Sequence, residues 1–150
     1  INETDNAGDV HDKMKEIGAQ LLVKTIKGLA DGSLNERPQT TDNGQLLHAP
    51  KIFTETCTID WNKTVDEVYN LIRGLVPYPA AFTFLQTKKL KIYKAEKIFE
   101  QPTEQAGGFK TDEKSYLYFA CTNGYISILE LQLEGKKKMG IASFLRGYHF

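Results

Sequence analysis

The stretch IDWNKTVDEVYNLIRGLVPYPAAFT, residues 59–83, decides the fold. Thr64 and Glu67 stand three apart, the spacing of a capping box in which each side chain satisfies a backbone N–H at the open start of a helix. Val65, Val68, Ile72 and Leu75 then recur at steps of three, four and three, and so line one face. Burying each stabilises the fold by about 1.5–3 kcal/mol before chain entropy is charged against it. Gly74 weakens the last turn, and Pro77 and Pro79 forbid continuation. Val76 and Tyr78 each precede a proline and are pushed toward extended geometry. The spacing therefore predicts a helix that runs straight into a strand, Ala81–Gln86. Trp61, the only tryptophan, reads as a ring closing one end of a small core. Arg73 falls on the polar side of the helix, where it is solvated or ion-paired.

Upstream, a second helical pattern starts near Ala7: Val10, Met14, Ile17, Leu21, Leu22, Ile26 and Leu29 form a wide apolar stripe that needs a cover. Asn6 suits the N-cap, Asp9 the first turn and Gly32 a left-handed end. Residues 34–50 read as a linker, polar and without period, with Pro38, Gly44 and Pro50.

Downstream the period changes to two. Phe82–Leu85 and Leu90–Ala95 read as a hairpin turning at Thr87-Lys88. In its second strand Leu90 and Ile92 share one face, which puts Lys91 and Tyr93 together on the other. Gln101–Gly108 is a polar turn region, and Phe109–Thr111 a short strand. Tyr116–Cys121 and Tyr125–Leu133 form the clearest strand pair, joined through the favoured hairpin dipeptide Asn123-Gly124. Both faces of Tyr125–Leu133 are partly apolar, so a closed or two-layered sheet follows more naturally than an open, one-sided one. Gly135–Lys138 is a basic loop, and Ile141–Leu145 a last helical turn.

Composition narrows the function. The 150 residues are enough for one domain or a domain plus a fragment, and 41% hydrophobic residues supply a modest core. Nineteen basic and nineteen acidic side chains leave no net field, so a nucleic-acid role has to rest on a local patch. Cys57 and Cys121 lack metal-ligand spacing and suit buried free thiols in a reducing compartment. No run is long enough to span a bilayer and no secretory signal is visible. The chain begins at Ile1, which reads as truncation or processing. His11, His48 and His149 are scattered, and Asp60 with Lys63 and Thr64 reads as a turn and cap. No phosphate-loop, dinucleotide or zinc motif is present, so no residue is assigned as catalytic or metal-binding.

Ile59-Asp60-Trp61, then Ile72-Arg73-Gly74, then Pro77-Tyr78-Pro79-Ala80-Ala81 strongly resemble the C-terminal domain of the methionyl-tRNA formyltransferases, whose segment runs I-D-W, I-R-(A/G), P-W-P-(G/A)-A. Tyr78 stands where that family has tryptophan. Leu90–Ala95 is similar to its L-K-I-W-x-A, Gly135–Met139 to its G-K-K-x-M, and Ala49–Ile52 to its entry A-x-K-(I/L). The first helix resembles the last helix of the family's N-terminal catalytic domain.

The resemblance implies an α+β chain in three parts. Residues 1–33 are the tail of the catalytic domain, an amphipathic helix, and 34–50 the linker. Residues 51–150 are a small, partly open Greek-key β-barrel, OB-like, closed by the central helix. It further implies a cytoplasmic parent enzyme that formylates initiator methionyl-tRNA with 10-formyltetrahydrofolate. The family's catalytic asparagine, histidine and aspartate and its formyl-donor pocket lie in the N-terminal domain. This chain is therefore expected to bind no cofactor, to be inactive alone, and to hold tRNA for the missing domain. Lys51, Arg73, Lys88, Lys89, Lys91, Lys136, Lys137, Lys138 and Arg146 are the candidate RNA contacts. Lys136–Lys138 reads equally as a solvated loop, and Tyr93 equally as barrel packing. Two other readings keep the barrel: a related formyltransferase acting on a nucleotide-linked amino sugar, and a non-catalytic interaction barrel.

Overall fold

The computed structural model describes residues 1–37 and 49–150. Most of the expected linker, with Pro38, Gly44 and His48, lies outside the described residues.

The central helix, α2, spans Val65–Gly74 with Thr64 as its N-cap. Both halves of the capping box form: Thr64 Oγ1 accepts from the Glu67 N–H at 3.3 Å, and Glu67 Oε2 accepts from the Thr64 N–H at 3.0 Å. Val65, Val68, Ile72 and Leu75 are all buried, as their spacing predicts. A further N-terminal donor is satisfied from afar. The Val65 N–H donates to Asn123 Oδ1 at 2.8 Å, and the Thr122 N–H donates to the Lys63 carbonyl at 3.1 Å. The 122–124 turn is thereby docked on the start of α2. Gly124 makes that approach possible, because a Cβ there would run into the Ile98 carbonyl and the Val65 side chain.

The strands are β1 (Ala81–Leu85), β2 (Lys88–Ile98), β3 (Phe109–Thr111), β4 (Leu117–Ala120), β5 (Tyr125–Leu133) and β6 (Met139–Gly140). They form one antiparallel sheet in the order β1-β2-β5-β4-β3, with β6 added along the last part of β5. The sheet curls into a half-barrel and stays open, so the class is α+β. A short 3-10 turn, Glu55–Cys57, leads in, and α3 (Ile141–Leu145) packs on β5 and β6. Residues Tyr125–Ile128 are buried side by side, which reflects cover on both faces at that end of β5. Register between β2 and β5 slips around Tyr93, where the curl is taken up.

Trp61 takes the expected core position, 8% exposed. Its ring stacks on Phe119 with centroids 4.8 Å apart, and its Nε1–H donates to Thr83 Oγ1 at 3.0 Å. Cys57 and Cys121 are buried free thiols.

The first helix, α1, spans Ala7–Ala30 and is capped by Asn6 and Asp9 reciprocally. It meets the rest of the fold at its first turn, where the Gly8 N–H donates to the Val76 carbonyl at 3.1 Å. Beyond that turn Met14, Ile17, Leu21, Leu22, Val23, Ile26 and Leu29 are each at least half exposed. Of the apolar residues expected to need a cover, Val10 is half-buried and the rest stay largely exposed within the described chain.

Candidate functional site

Pairing of β2 with β5 creates the basic surface. Opposite Lys91 stands Gln132, and opposite Leu90 stands the buried Leu133. Leu90 and Ile92 point into the core, so Lys89, Lys91 and Tyr93 share the outer face, as their alternation predicts. The Lys89 carbonyl accepts from the Glu134 N–H at 2.9 Å, which brings the β5–β6 loop alongside. The Tyr93 hydroxyl donates to Gln132 Oε1 at 3.0 Å, and Gln132 Nε2–H donates to the Lys136 carbonyl at 2.9 Å. Lys138 closes the row, its Nζ 5.0 Å from the Tyr93 ring and 2.7 Å from Glu130 Oε2. One continuous surface thus runs from Lys89 through Lys91 and Tyr93 to Lys136–Lys138, whereas Lys88, exposed at the start of β2, falls on the alternate side of the strand with Leu90 and Ile92. A cleft of about 210 Å³ lies within it, lined by Lys89, Lys91, Gln132 and Glu134. Lys136 and Lys137 are exposed, and Lys89 and Lys91 are half-buried.

The other expected contacts sit differently. Lys51 is exposed ahead of the 3-10 turn, its ammonium 5.5 Å from the Phe53 ring. Arg146 follows α3 and reaches Ser143 Oγ at 3.2 Å. Arg73 is turned toward the N-terminal segment: its Nη1 donates to the Asp5 carbonyl at 3.0 Å, and its Nε to Asn70 Oδ1 at 2.8 Å. A groove of about 540 Å³ does connect Arg73 with Tyr93, Lys94 and Lys138, but Asp9, Glu96 and Glu130 line it too. Opposed charges of equal number leave that groove without the field a phosphate chain needs.

The N-terminal segment is held by charge. Lys13 reaches both carboxylate oxygens of Asp5 at 2.7 Å. That hydrogen bond, with the Asn2 N–H, holds the Asp5 carboxyl below its ordinary value. Lys97 joins Asp66 at 2.9 Å and Glu3 at 3.1 Å, and those bonds hold its ammonium above the ordinary lysine value. The sequence hides the partners of Lys97, since Asp66 and Glu3 lie far from it along the chain. Gln132 was equally hidden, because only the β2–β5 register identifies it.

No acid–base or nucleophilic constellation accompanies the basic surface. Among the described residues no three His, Cys, Asp or Glu side chains gather as a metal site, and no helix is long and apolar enough to cross a membrane. The surface presents lysine ammoniums that can meet a polyanion backbone, with the Tyr93 ring among them.

Residues 51–149 match the family described as formyl transferase, C-terminal domain. Over 99% of its length the chain is 46% identical to a methionyl-tRNA formyltransferase of Phocaeicola vulgatus, covering 48% of that protein. It is 40% identical to a methionyl-tRNA formyltransferase of Bacillus subtilis, again over 99% of the chain, covering 47% of that protein. The chain thus spans about half the length of the curated relatives it matches. Two solved structures share the fold. HypX from Aquifex aeolicus in complex with tetrahydrofolic acid superposes with TM-score 0.61 at 17% identity, covering 84% of this chain and 22% of that one. WlaRD, a sugar 3N-formyl transferase, superposes with TM-score 0.60 at 22% identity, covering 91% of this chain and 47% of that one.

Proposed function

The chain belongs to the formyl transferase C-terminal domain family, and from that premise we propose that it is the tRNA-holding half of a methionyl-tRNA formyltransferase. The parent enzyme transfers the formyl group of 10-formyltetrahydrofolate to the amino group of initiator methionyl-tRNA. This half supplies no bonding chemistry. It grips the phosphate backbone and so brings the acceptor end to a catalytic centre in the other half, a contribution of proximity and orientation. The observation that carries this reading is the outer row Lys89, Lys91 and Tyr93, continued by the Lys136–Lys138 loop.

Within this proposal residues 1–33 are the tail of the catalytic domain, 34–50 the linker, and 51–150 an OB-like Greek-key barrel. The exposed apolar residues of α1 support the first assignment, because a helix that leaves them uncovered lacks its packing partner. The formyl donor belongs to the other half, and the parent works in the cytoplasm.

A chimera tests the reading. These 150 residues are exchanged for the matching half of the Phocaeicola vulgatus relative, and transfer to methionyl-tRNA is assayed. The chimera is expected to formylate methionyl-tRNA, whereas this chain alone yields no product. A folded chimera that is silent on methionyl-tRNA and active on a nucleotide-linked amino sugar would overturn the assignment.

A further inference from the structure

Phe84 is 55% exposed on β1, although Phe82, two residues earlier on the same face, is only 6% exposed. The register places Phe84 directly opposite Lys89 and Phe82 opposite Lys91. The exposed ring therefore adjoins the basic row and is part of the same outer face. It is also braced. Phe82 meets it edge to face with centroids 5.8 Å apart, and the Lys89 ammonium sits 4.4 Å from the Phe82 centroid. An exposed phenylalanine on an edge strand invites unwanted pairing, so its place beside a row of lysines calls for a partner with an aromatic face and negative charge.

We propose that Phe84 is a stacking platform for an unpaired base of the RNA held on this surface, with the flanking phosphates on Lys89 and Lys91. The proposal rests on the tRNA-holding reading and adds to it a single-stranded element of the ligand. Stacking needs only a ring and a π-face, so it adds affinity without reading sequence. Lysines one strand away neutralise the backbone beside the stacked base. A fully paired helix keeps its bases inside and gains only the lysine contacts.

The test uses the 150-residue chain, a short single-stranded RNA carrying one 2-aminopurine, and a blunt-ended, fully paired RNA duplex of equal charge. Wild type should bind both and change the 2-aminopurine fluorescence. Phe84→Leu, which keeps apolar bulk and loses the ring, should weaken the single-stranded probe by about five- to hundredfold. It should abolish the fluorescence change and leave duplex binding and both salt slopes unaltered. Phe84→Tyr should restore wild-type binding. Single-stranded binding by Phe84→Leu equal to wild type would overturn the stacking role. If Lys89→Gln and Lys91→Gln still weaken both probes, the tRNA-holding reading survives that result. Failure of wild type to bind either probe at low salt would overturn both. Loss of self-association in Phe84→Leu with RNA binding intact would reassign the ring to a protein contact.

Discussion

At Gly124 a single methyl group has nowhere to go, since a Cβ there would lie 2.8 Å from Val65 Cγ2 and collide with the Ile98 carbonyl. Gly124→Ala should cost about 1–3 kcal/mol in a urea melt, and a variant as stable as wild type would show that the turn is not seated on α2. Trp61 has the opposite problem, too much to lose. Its ring fills the space between Phe119 and Gly107 and has its one donor satisfied by Thr83. Trp61→Ala should lower stability by about 3–5 kcal/mol while leaving the basic surface able to bind RNA below the new melting point. A variant that melts like wild type yet loses RNA would move that ring from the core to the interface. Cys121 shows burial acting on chemistry: the thiol is pushed up to about 12 by desolvation. It should resist thiol reagents at neutral pH until the protein is unfolded, and fast labelling in native buffer would contradict its placement.

Helix α2 was readable from the chain because its signals are local: a cap at Thr64, a return contact from Glu67, and prolines just beyond Gly74. The face-sharing of Lys91 and Tyr93 was readable too, since alternation around Leu90 and Ile92 is a property of one strand. What could not be read is which strand lies next. The meeting of Lys89–Lys91 with Lys136–Lys138 depends on the β2–β5 register, which slips around Tyr93 through packing. Arg73 shows the same limit. Its position on the polar side of α2 was visible, but its partners at Asn2 and Asp5 come from the far end of the sequence. Helix α1 matched its expected span and its Asn6–Asp9 cap, and most of the apolar side chains expected to form its covered face are left in solvent. The isolated chain should therefore self-associate through that face as concentration rises. Leu21→Glu combined with Ile26→Glu should return it to a monomer in sedimentation, with the sheet's melting unchanged. A wild-type chain that stays strictly monomeric with α1 protected from hydrogen exchange would contradict this.

Over the whole molecule basic and acidic groups cancel, so its electrostatics are those of arrangement. Hydrogen bonds hold Asp5, Glu67, Glu104 and Asp112 below their ordinary values of 3.8 for aspartate and 4.5 for glutamate. A depressed carboxyl contributes stability that is complete above its unfolded value and lost as pH falls through its folded one. The melting temperature should therefore drop on acidification below about pH 4.5, with the N-terminal segment released as Asp5 is protonated. An unchanged melt down to about pH 3 would contradict these bonds. The surface proposed to grip phosphates calls for a different titration, with salt. Binding of initiator tRNA to the 150-residue chain, measured from low to high ionic strength, tests the central claim most directly. Neutralising about four phosphates predicts a log–log slope of about −3 to −4. Replacing Lys136, Lys137 and Lys138 together by glutamine should flatten that slope and weaken binding without changing the melting point. No tRNA binding at low salt, or affinity and slope indifferent to the triple change, would contradict the account.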